Sequence, residues 1–185
     1  MFATLPNDAT GESRIPHAVI IGLPGAGKST VGRRAARIVR REFLDFDEEI
    51  ERREKMAVSE IFATRGEPYF RKLELDLTSE VAAHAGMIIA PGGGWICQPA
   101  ATELLGGTGR TIYLRVTPES VFRRLRRISE RPLLAGGDPL GRLQELYSAR
   151  RELYERADYV VDAETLSKEE VTTEVARIAS AFERE

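Results

Sequence analysis

Short apolar runs alternate with longer amphipathic segments along most of the chain. The runs are three or four residues long and rich in aliphatic and aromatic side chains, which is typical of strands buried on both faces. They predict five strands, at residues 18–21, 43–45, 87–90, 111–114 and 159–161.

Between the strands, apolar residues recur every three or four positions, which is the spacing of one helix face. The predicted helices cover residues 28–41, 48–53, 67–85, 118–127 and 140–157. A last helix opens at Ser167, where Glu170 completes the spacing of a capping box. In the first helix the apolar positions are 31, 35, 38 and 39. This alternation predicts an α/β fold of three layers, α/β/α, around a five-stranded parallel sheet.

Length and charge narrow the class of protein. The 185 residues fit one domain, which we place at residues 16–185 after a polar, flexible tail at 1–15. The net charge of −2 argues against nucleic-acid binding through bulk charge, and no apolar run is long enough to cross a membrane. With no secretory signal and a single cysteine, Cys97, we expect a cytoplasmic protein without a disulfide or a zinc cluster.

A phosphate-binding loop follows the first strand. Residues 22–30 read GLPGAGKST, so Gly22, Gly27, Lys28 and Ser29 satisfy the Walker A spacing between a strand and a helix. Glycines let backbone N–H groups approach phosphate oxygens, and the helix N-terminus attracts the same anion. Lys28 adds a positive charge for the β- and γ-phosphates, and the Ser29 hydroxyl is a ligand for Mg²⁺. We therefore predict binding of a nucleoside triphosphate; the alternative is a chance glycine turn.

Asp45 and Asp47 come at the end of the second predicted strand. On an extended backbone their side chains would point the same way, toward the ligand-binding edge of a parallel sheet. Such a pair suits two tasks: holding Mg²⁺ through water and accepting a hydrogen bond from an attacking hydroxyl. The alternative is that they are turn or helix-cap residues.

Two arginines lie beside apolar helix faces. Arg71 is one turn from Glu74, and a surface ion pair is the simplest interpretation. Arg150 falls on the same face as four apolar residues of its helix, Leu140, Leu143, Tyr147 and Tyr154. A buried arginine needs an anionic partner, although its head can also extend to solvent. Directed at one pocket, the two guanidinium groups would hold a carboxylate.

Two loops complete the candidate chemistry. Gly92, Gly93 and Gly94 follow a buried strand and suggest close approach of backbone to a ligand, unless they form a loose turn. Trp95 comes next, and it either shapes a ligand pocket or packs against a helix. Arg131 opens a glycine- and proline-rich loop that suits a lid over a transferring phosphate, with an ordinary surface loop as the alternative.

These motifs resemble the shikimate kinase family, over almost all of residues 17–183. They are GLPGAGKST at 22–30, FLDFDEEIE at 43–51, EIFATRGEPYFRKLE at 60–74, GGG at 92–94, RPLL at 131–134 and RRELY at 150–154. The resemblance implies a small P-loop kinase, similar to nucleoside monophosphate kinases. It would use ATP to phosphorylate the 3-hydroxyl of shikimate, giving shikimate 3-phosphate and ADP, in the pathway to chorismate and the aromatic amino acids.

The resemblance also implies roles for individual residues. ATP binding falls to Gly25, Ala26, Gly27, Lys28, Ser29, Thr30, Arg124 and Arg131. Shikimate binding falls to Asp47, Arg71, Gly92, Gly93, Gly94 and Arg150. Asp47 would orient or deprotonate the attacking hydroxyl, with Lys28 and Arg131 on the transferring phosphoryl group. Ser29 and, through water, Asp45 would hold Mg²⁺. The acceptor would bind at residues 46–75 and the lid would span 128–141, in a monomer whose partners are shikimate and ATP.

Two other functions are compatible with parts of this pattern. One is another small-molecule P-loop kinase, such as a gluconate kinase, because two arginines favour an acid without naming it. The other is a kinase-like sensing domain of a transcription regulator. Only 17 residues precede the first predicted strand, which leaves no room for a DNA-binding helix-turn-helix, and Lys28, Asp47 and Arg131 are all present. We therefore rank the sensor last.

Overall fold

Strands and helices alternate along most of the described part of the chain. A computed structural model describes residues 15–125 and 138–182, with the side chain of residue 125 left out of the description. The strands are β1 (His17–Ile21), β2 (Phe43–Asp45), β3 (Ile88–Ala90), β4 (Gly109–Arg115) and β5 (Tyr159–Asp162). The helices are α1 (Lys28–Val39), α2 (Phe46–Glu54), α3 (Val58–Ala82), α4 (Pro99–Gly106), α5 (Pro118–Leu125), α6 (Pro139–Tyr154) and α7 (Lys168–Ala181).

The five strands form one parallel sheet in the order β2-β3-β1-β4-β5. The central strand β1 pairs with β3 on one side and with β4 on the other, and the chain reaches these neighbours by connections that run in opposite directions. In an open parallel sheet this creates a crevice beyond the carboxyl end of the central strand. The loop that follows β1 is the glycine-rich segment that the sequence singled out.

Helices cover both faces of the sheet, which confirms the three-layer α/β/α prediction. On one face, α1 packs near Ile20 and α7 places Phe182 beside Tyr159, with the ring centroids 5.8 Å apart. On the other face, Tyr154 of α6 stacks on Tyr113 of β4 at a centroid distance of 5.1 Å. Neighbouring residues of a strand point to opposite faces, so a sheet that is covered on both faces has apolar side chains at successive positions. Its strands therefore appear in the sequence as continuous apolar runs.

Most predicted elements are confirmed, and the exceptions have local causes. Helix α3 begins at Val58, well before the predicted residue 67, but Gly66 has φ 79° and breaks it into two helical segments. Pro68 then falls in the first turn of the second segment, where its missing N–H is tolerated. Helix α4 was not predicted, since its eight residues offer too short a pattern. In α1, Ile38 is 60% exposed and Ala36 is buried, so the predicted apolar face was wrong at position 38.

Some expectations lie outside the described residues. Residues 1–14 of the proposed tail, residue 131 and most of the proposed lid at 128–141 are among them. Within the described residues, no helix is long and apolar enough to span a membrane. The capping box at Ser167 is present, with Ser167 and Glu170 each accepting a hydrogen bond from the backbone N–H of the other.

His17 is a fully buried titratable group at the start of β1. Its Nδ1 accepts a hydrogen bond from the backbone N–H of Met87 at 3.2 Å, and its Nε2 lies 3.1 Å from the carbonyl oxygen of His84. This arrangement fits a neutral ring with its proton on Nε2. Burial lowers the pKa of His17 from 6.5 to about 4.

Stability should therefore fall in mild acid. The unfolded chain takes up a proton at His17 below pH 6.5 and the folded chain does not, so protonation favours unfolding. The stabilisation is complete above pH 6.5 and is lost as the pH falls toward 4. Between pH 7 and pH 5 we expect this group to lower the free energy of unfolding by about 2 kcal/mol. Urea unfolding of the wild type and of His17→Gln measures this loss. The free energy of unfolding should depend less on pH in the variant, and an equal pH dependence in the two proteins would contradict a neutral, buried His17.

Candidate active site

The loop after β1 has the geometry of a phosphate cradle. Gly22, Gly25 and Gly27 have φ values of 145°, 85° and 100°, which favour glycine. At Gly22 a Cβ would also lie 3.0 Å from the carbonyl oxygen of Leu114. Lys28 opens α1 and is buried, with its Nζ donating to the carbonyl oxygens of Gly22 (3.1 Å) and Leu23 (3.3 Å). Backbone N–H groups and the N-terminus of α1 thus face one point beyond the sheet.

A cleft of about 670 Å³ begins at this loop and extends between α5, α7 and the segment after β5. Its volume is in the range of small-molecule sites. The predicted nucleotide residues that line it are Gly25, Ala26, Gly27, Thr30 and Arg124. Lys28 and Ser29 are not among the lining residues; they are the first two residues of α1.

Cationic side chains dominate the far end of this cleft. Arg123, Arg124 and Lys168 line it, and Arg124 donates from Nη2 to the carbonyl oxygen of Ala163 at 2.8 Å. The one acidic residue among the described lining residues, Glu164, accepts hydrogen bonds from Ser120 Oγ and from the backbone and hydroxyl of Thr117. Bonding to Ser120 lowers the pKa of Glu164. The carboxylate of Glu164 therefore stabilises the start of α5 through these hydrogen bonds.

The two aspartates after β2 are placed differently from the sequence prediction. Strand β2 ends at Asp45, and Phe46 begins α2, so the pair does not lie on one extended backbone. Asp45 is the N-cap of α2, and its side chain accepts from the backbone N–H of Glu48 at 3.2 Å. Asp47 lies in the first turn of the helix. The helix-cap alternative is thus correct for Asp45, while Asp47 is directed elsewhere.

Asp47 faces the glycine loop. A Cβ on Gly92 would lie 3.1 Å from Asp47 Oδ1 and 2.6 Å from Glu74 Oε1, so both carboxylates approach the same point over this glycine. A Cβ on Gly93 would lie 3.0 Å from Pro24 of the phosphate loop, and one on Gly94 would collide with the guanidinium group of Arg71. None of the three has a positive φ. Close approach of neighbours, and not backbone conformation, therefore requires glycine here.

Glu74 is the most unusual charge in this region, because its side chain is 0% exposed. Its Oε2 accepts hydrogen bonds from Arg71 Nη1 (2.5 Å) and from Gln98 Nε2 (2.8 Å). Its Oε1 has no hydrogen-bond partner among the described residues. Burial raises the pKa of Glu74, the nearby Asp47 adds to that effect, and Arg71 and Gln98 oppose it. The predicted Arg71–Glu74 pair therefore exists, but it is not a surface pair.

Arg150 of α6 reaches the same loop from the opposite side. Its Nη1 donates to the carbonyl oxygen of Gly93 at 3.1 Å, and the hydroxyl of Tyr154 donates to the same oxygen at 2.9 Å. Burial raises the pKa of Tyr154 to about 12, so this hydroxyl keeps its proton. Arg150 is half-buried and forms no ion pair within the described residues. It is thus a cation beside the glycine loop with no acidic partner in the part of the chain that the structure describes.

The structure brings most of the predicted site residues together in two groups. One surrounds the phosphate loop, and the other comprises Asp47, Arg71, Gly92, Gly93, Gly94 and Arg150. Arg131 lies outside the described residues, so its placement stays a prediction. The sequence analysis missed the roles of Gln98 and Tyr154 and the burial of Glu74. Glu74 could have been found, because it falls between Phe70 and Leu77 on the apolar face of α3.

Trp95 and Cys97 lie just beyond the glycines, in a short 3₁₀ turn. Trp95 is 1% exposed, and its Nε1 donates to Thr78 Oγ1 at 2.9 Å, so it packs against α3 as one of the two alternatives expected. Thr78 in turn donates to the carbonyl oxygen of Glu74 at 2.6 Å. Cys97 is exposed, and it lies close enough to Tyr154 to raise the pKa of that hydroxyl.

Comparisons with known proteins point to one family. A family model described as shikimate kinase matches residues 24–179. A shikimate kinase of Burkholderia lata is 40% identical over 154 residues, which are 82% of this chain and 84% of that protein. A shikimate kinase of Rhodococcus erythropolis is 44% identical over 142 residues, covering 77% of this chain and 83% of its own length.

Solved structures agree in fold. The structure of Acinetobacter baumannii shikimate kinase in complex with shikimate matches with a TM-score of 0.83 and 33% identity, over 90% of this chain and 94% of that one. The Bacteroides thetaiotaomicron shikimate kinase matches with a TM-score of 0.80 and 33% identity, over 91% and 98%. A gluconokinase of Sinorhizobium meliloti has a TM-score of 0.57 at 17% identity, over 92% and 98%, and shares the fold alone.

The Trp95–Thr78 hydrogen bond should couple the glycine loop to α3. We expect Trp95→Phe and Thr78→Val each to lower the free energy of unfolding by roughly 1–3 kcal/mol, because each leaves a buried polar group without its partner. The double variant should lose less than the sum, by about 1 kcal/mol, since both changes remove the same bond. Urea unfolding of the four proteins measures this coupling. Strict additivity would show that the bond adds nothing to stability.

Proposed function

Since the chain belongs to the shikimate kinase family, we propose that the two groups of residues around its glycine loops bind its two substrates. The chain is a kinase that transfers the γ-phosphoryl group of ATP to the 3-hydroxyl of shikimate, giving shikimate 3-phosphate and ADP. This step belongs to the shikimate pathway, which leads to chorismate and the aromatic amino acids. The assignment of individual residues is our proposal, and the geometry supports it as follows.

The phosphate loop and its cleft would bind ATP. The triphosphate lies along the backbone of residues 25–30, where N–H groups and the N-terminus of α1 face it. Lys28 would move its Nζ from the carbonyl oxygens of Gly22 and Leu23 toward the β- and γ-phosphates. The base and ribose would occupy the far end of the cleft, with Arg124 over the adenine. Arg131 would complete the contacts to the transferring phosphoryl group.

The glycine loop would bind shikimate. Arg71 and Arg150 reach it from α3 and α6, and a carboxylate placed between their guanidinium groups would gain two charge-assisted contacts. Backbone N–H groups of residues 92–94 would face the same ligand. The single observation that carries this proposal is Arg150, a half-buried arginine that donates to the carbonyl oxygen of Gly93 and forms no ion pair within the described residues. Binding the acceptor's carboxylate would supply the anion that this cation lacks among the described residues.

Asp47 would act on the attacking hydroxyl. It lies in the first turn of α2 and faces Gly92, whose neighbour Gly93 packs against Pro24 of the phosphate loop. A carboxylate here would accept a hydrogen bond from the 3-hydroxyl and aim its oxygen at the γ-phosphorus. It would take the hydroxyl proton as the new P–O bond forms and the bond from the γ-phosphorus to the β,γ-bridging oxygen breaks, with ADP as the leaving group. Phosphoryl transfer depends mainly on positioning and charge neutralisation, so one correctly placed carboxylate and the surrounding cations suffice.

The residues present fit a magnesium ion. Ser29 offers a hydroxyl oxygen, and Asp45 a carboxylate with one oxygen engaged in the α2 cap. Hard oxygen donors that leave room for water are what Mg²⁺ prefers. Ser29 would hold the ion directly and Asp45 through water; when bound, it neutralises charge on the β- and γ-phosphates. We also propose that the protein acts as a monomer in the cytoplasm.

Asp47→Asn should separate chemistry from binding. The amide keeps the shape of the side chain but cannot take the proton, so we expect kcat to fall by at least about 100-fold. ATP affinity should stay within about twofold, because Asp47 faces Gly92 and our proposal gives it no contact with ATP. Steady-state kinetics and calorimetric ATP titration measure the two quantities. The same change at Asp76, an exposed residue of α3, is the control, and unchanged kcat in Asp47→Asn would remove Asp47 from the mechanism.

A further inference from the structure

The orientation of Arg71 is fixed by two carboxylates of its own helix. Its Nε and Nη2 donate to Glu67 Oε1 at 3.0 and 2.7 Å, and its Nη1 donates to Glu74 Oε2 at 2.5 Å. The two anchors differ in kind, because the side chain of Glu67 is 59% exposed and that of Glu74 is 0% exposed. An exposed carboxylate exchanges partners with water easily. Glu74 is therefore the anchor that sets where Arg71 points.

Glu74 itself needs a second element to hold it. A carboxylate can rotate about its last bond, and intrahelical contact with Arg71 does not by itself determine which oxygen faces which way. Gln98 supplies the missing restraint: its Nε2 donates to Glu74 Oε2 at 2.8 Å. This bond fixes Oε2 toward Arg71 and leaves Oε1 facing the space over Gly92, beside Asp47.

The side chain of Gln98 has no other structural task in the described part of the chain. Gln98 is the N-cap residue of α4, but its side chain makes no capping hydrogen bond, and the start of the helix depends on its backbone alone. Its carbonyl oxygen accepts from the backbone N–H groups of Ala101 and Thr102. A glutamine amide also donates without adding charge. It can thus hold Glu74 without competing with Arg71 for the negative charge of that carboxylate, whereas a lysine at this position would compete for it.

We propose that Gln98 is a positioning residue for shikimate binding, acting through Glu74 on Arg71. The inference rests on the proposed role of Arg71 as a carboxylate ligand. Gln98 touches neither substrate in this account; it selects the carboxylate orientation that keeps the guanidinium group over Gly94. Arg71 then meets the acceptor already oriented, and less rotational freedom is lost on binding.

Gln98→Met tests the proposal, because methionine is similar in length but cannot donate. We expect the KM for shikimate to rise about tenfold, the loss expected for one hydrogen bond to a charged group. The kcat and the KM for ATP should stay within about twofold. Gln98→Glu should raise the KM for shikimate further, because a second carboxylate would face Glu74; it also serves as the second variant if Gln98→Met folds poorly. Both changes preserve the backbone that caps α4.

The matched control is Thr102→Val. Thr102 Oγ1 donates to the carbonyl oxygens of Gln98 and Pro99, so this variant perturbs the same helix start without touching Glu74. We expect its KM for shikimate to be unchanged. A rise equal to that of Gln98→Met would show that the effect comes from a loosened α4, and would overturn the proposal.

Arg71→Ala separates the inference from the proposed function. It should raise the KM for shikimate more than Gln98→Met does, and adding Gln98→Met to it should have no further effect, since Gln98 acts through Arg71. An unchanged KM in Arg71→Ala would contradict the proposed role of Arg71. A raised KM in Arg71→Ala with an unchanged KM in Gln98→Met, or additive effects in the double variant, would overturn the role of Gln98 alone.

Discussion

The burial of one carboxylate, Glu74, constrains the group of site residues around the glycine loop. A charge that is 0% exposed must be compensated. Arg71 supplies the opposite charge and Gln98 a neutral donor from the start of α4. Two segments that are 24 positions apart in sequence, α3 and the start of α4, are thereby held in one arrangement. An arginine that would otherwise extend into solvent is kept against the glycine loop.

The glycine loop is the point where the two halves of the site meet. Gly92 is approached by Asp47 and Glu74, Gly93 by Pro24 of the phosphate loop, and Gly94 by Arg71. From the other side, Arg150 and Tyr154 bond to the carbonyl oxygen of Gly93. A side chain at any of the three positions would push one of these elements away. In our proposal, these tight contacts hold the acceptor hydroxyl within reach of the phosphoryl group, because transfer depends on short, fixed distances.

Much of this arrangement follows from the sequence, and the failures are instructive. The strands and the phosphate loop could be predicted because they depend on local patterns, namely short apolar runs and glycine spacing. Asp45 and Asp47 were assigned to one extended strand, but the helix begins between them, and the capping preference of Asp45 was the signal for that boundary. Gln98 gave no signal, because a polar residue before a short helix resembles any loop residue. Its importance comes from a contact with Glu74, 24 positions away, that only tertiary packing creates.

The most direct test of the account is ADP release from Mg-ATP with a series of acceptors: shikimate, quinate, gluconate and nucleoside monophosphates. In our proposal, Arg71 and Arg150 bind the carboxylate of the acceptor and Asp47 faces its attacking hydroxyl, while the close contacts at the glycine loop leave little room for an acceptor of a different shape. We predict a kcat/KM for shikimate at least about 100-fold above that of any other acceptor. Comparable turnover with gluconate, or no turnover that depends on shikimate while ATP still binds, would contradict it.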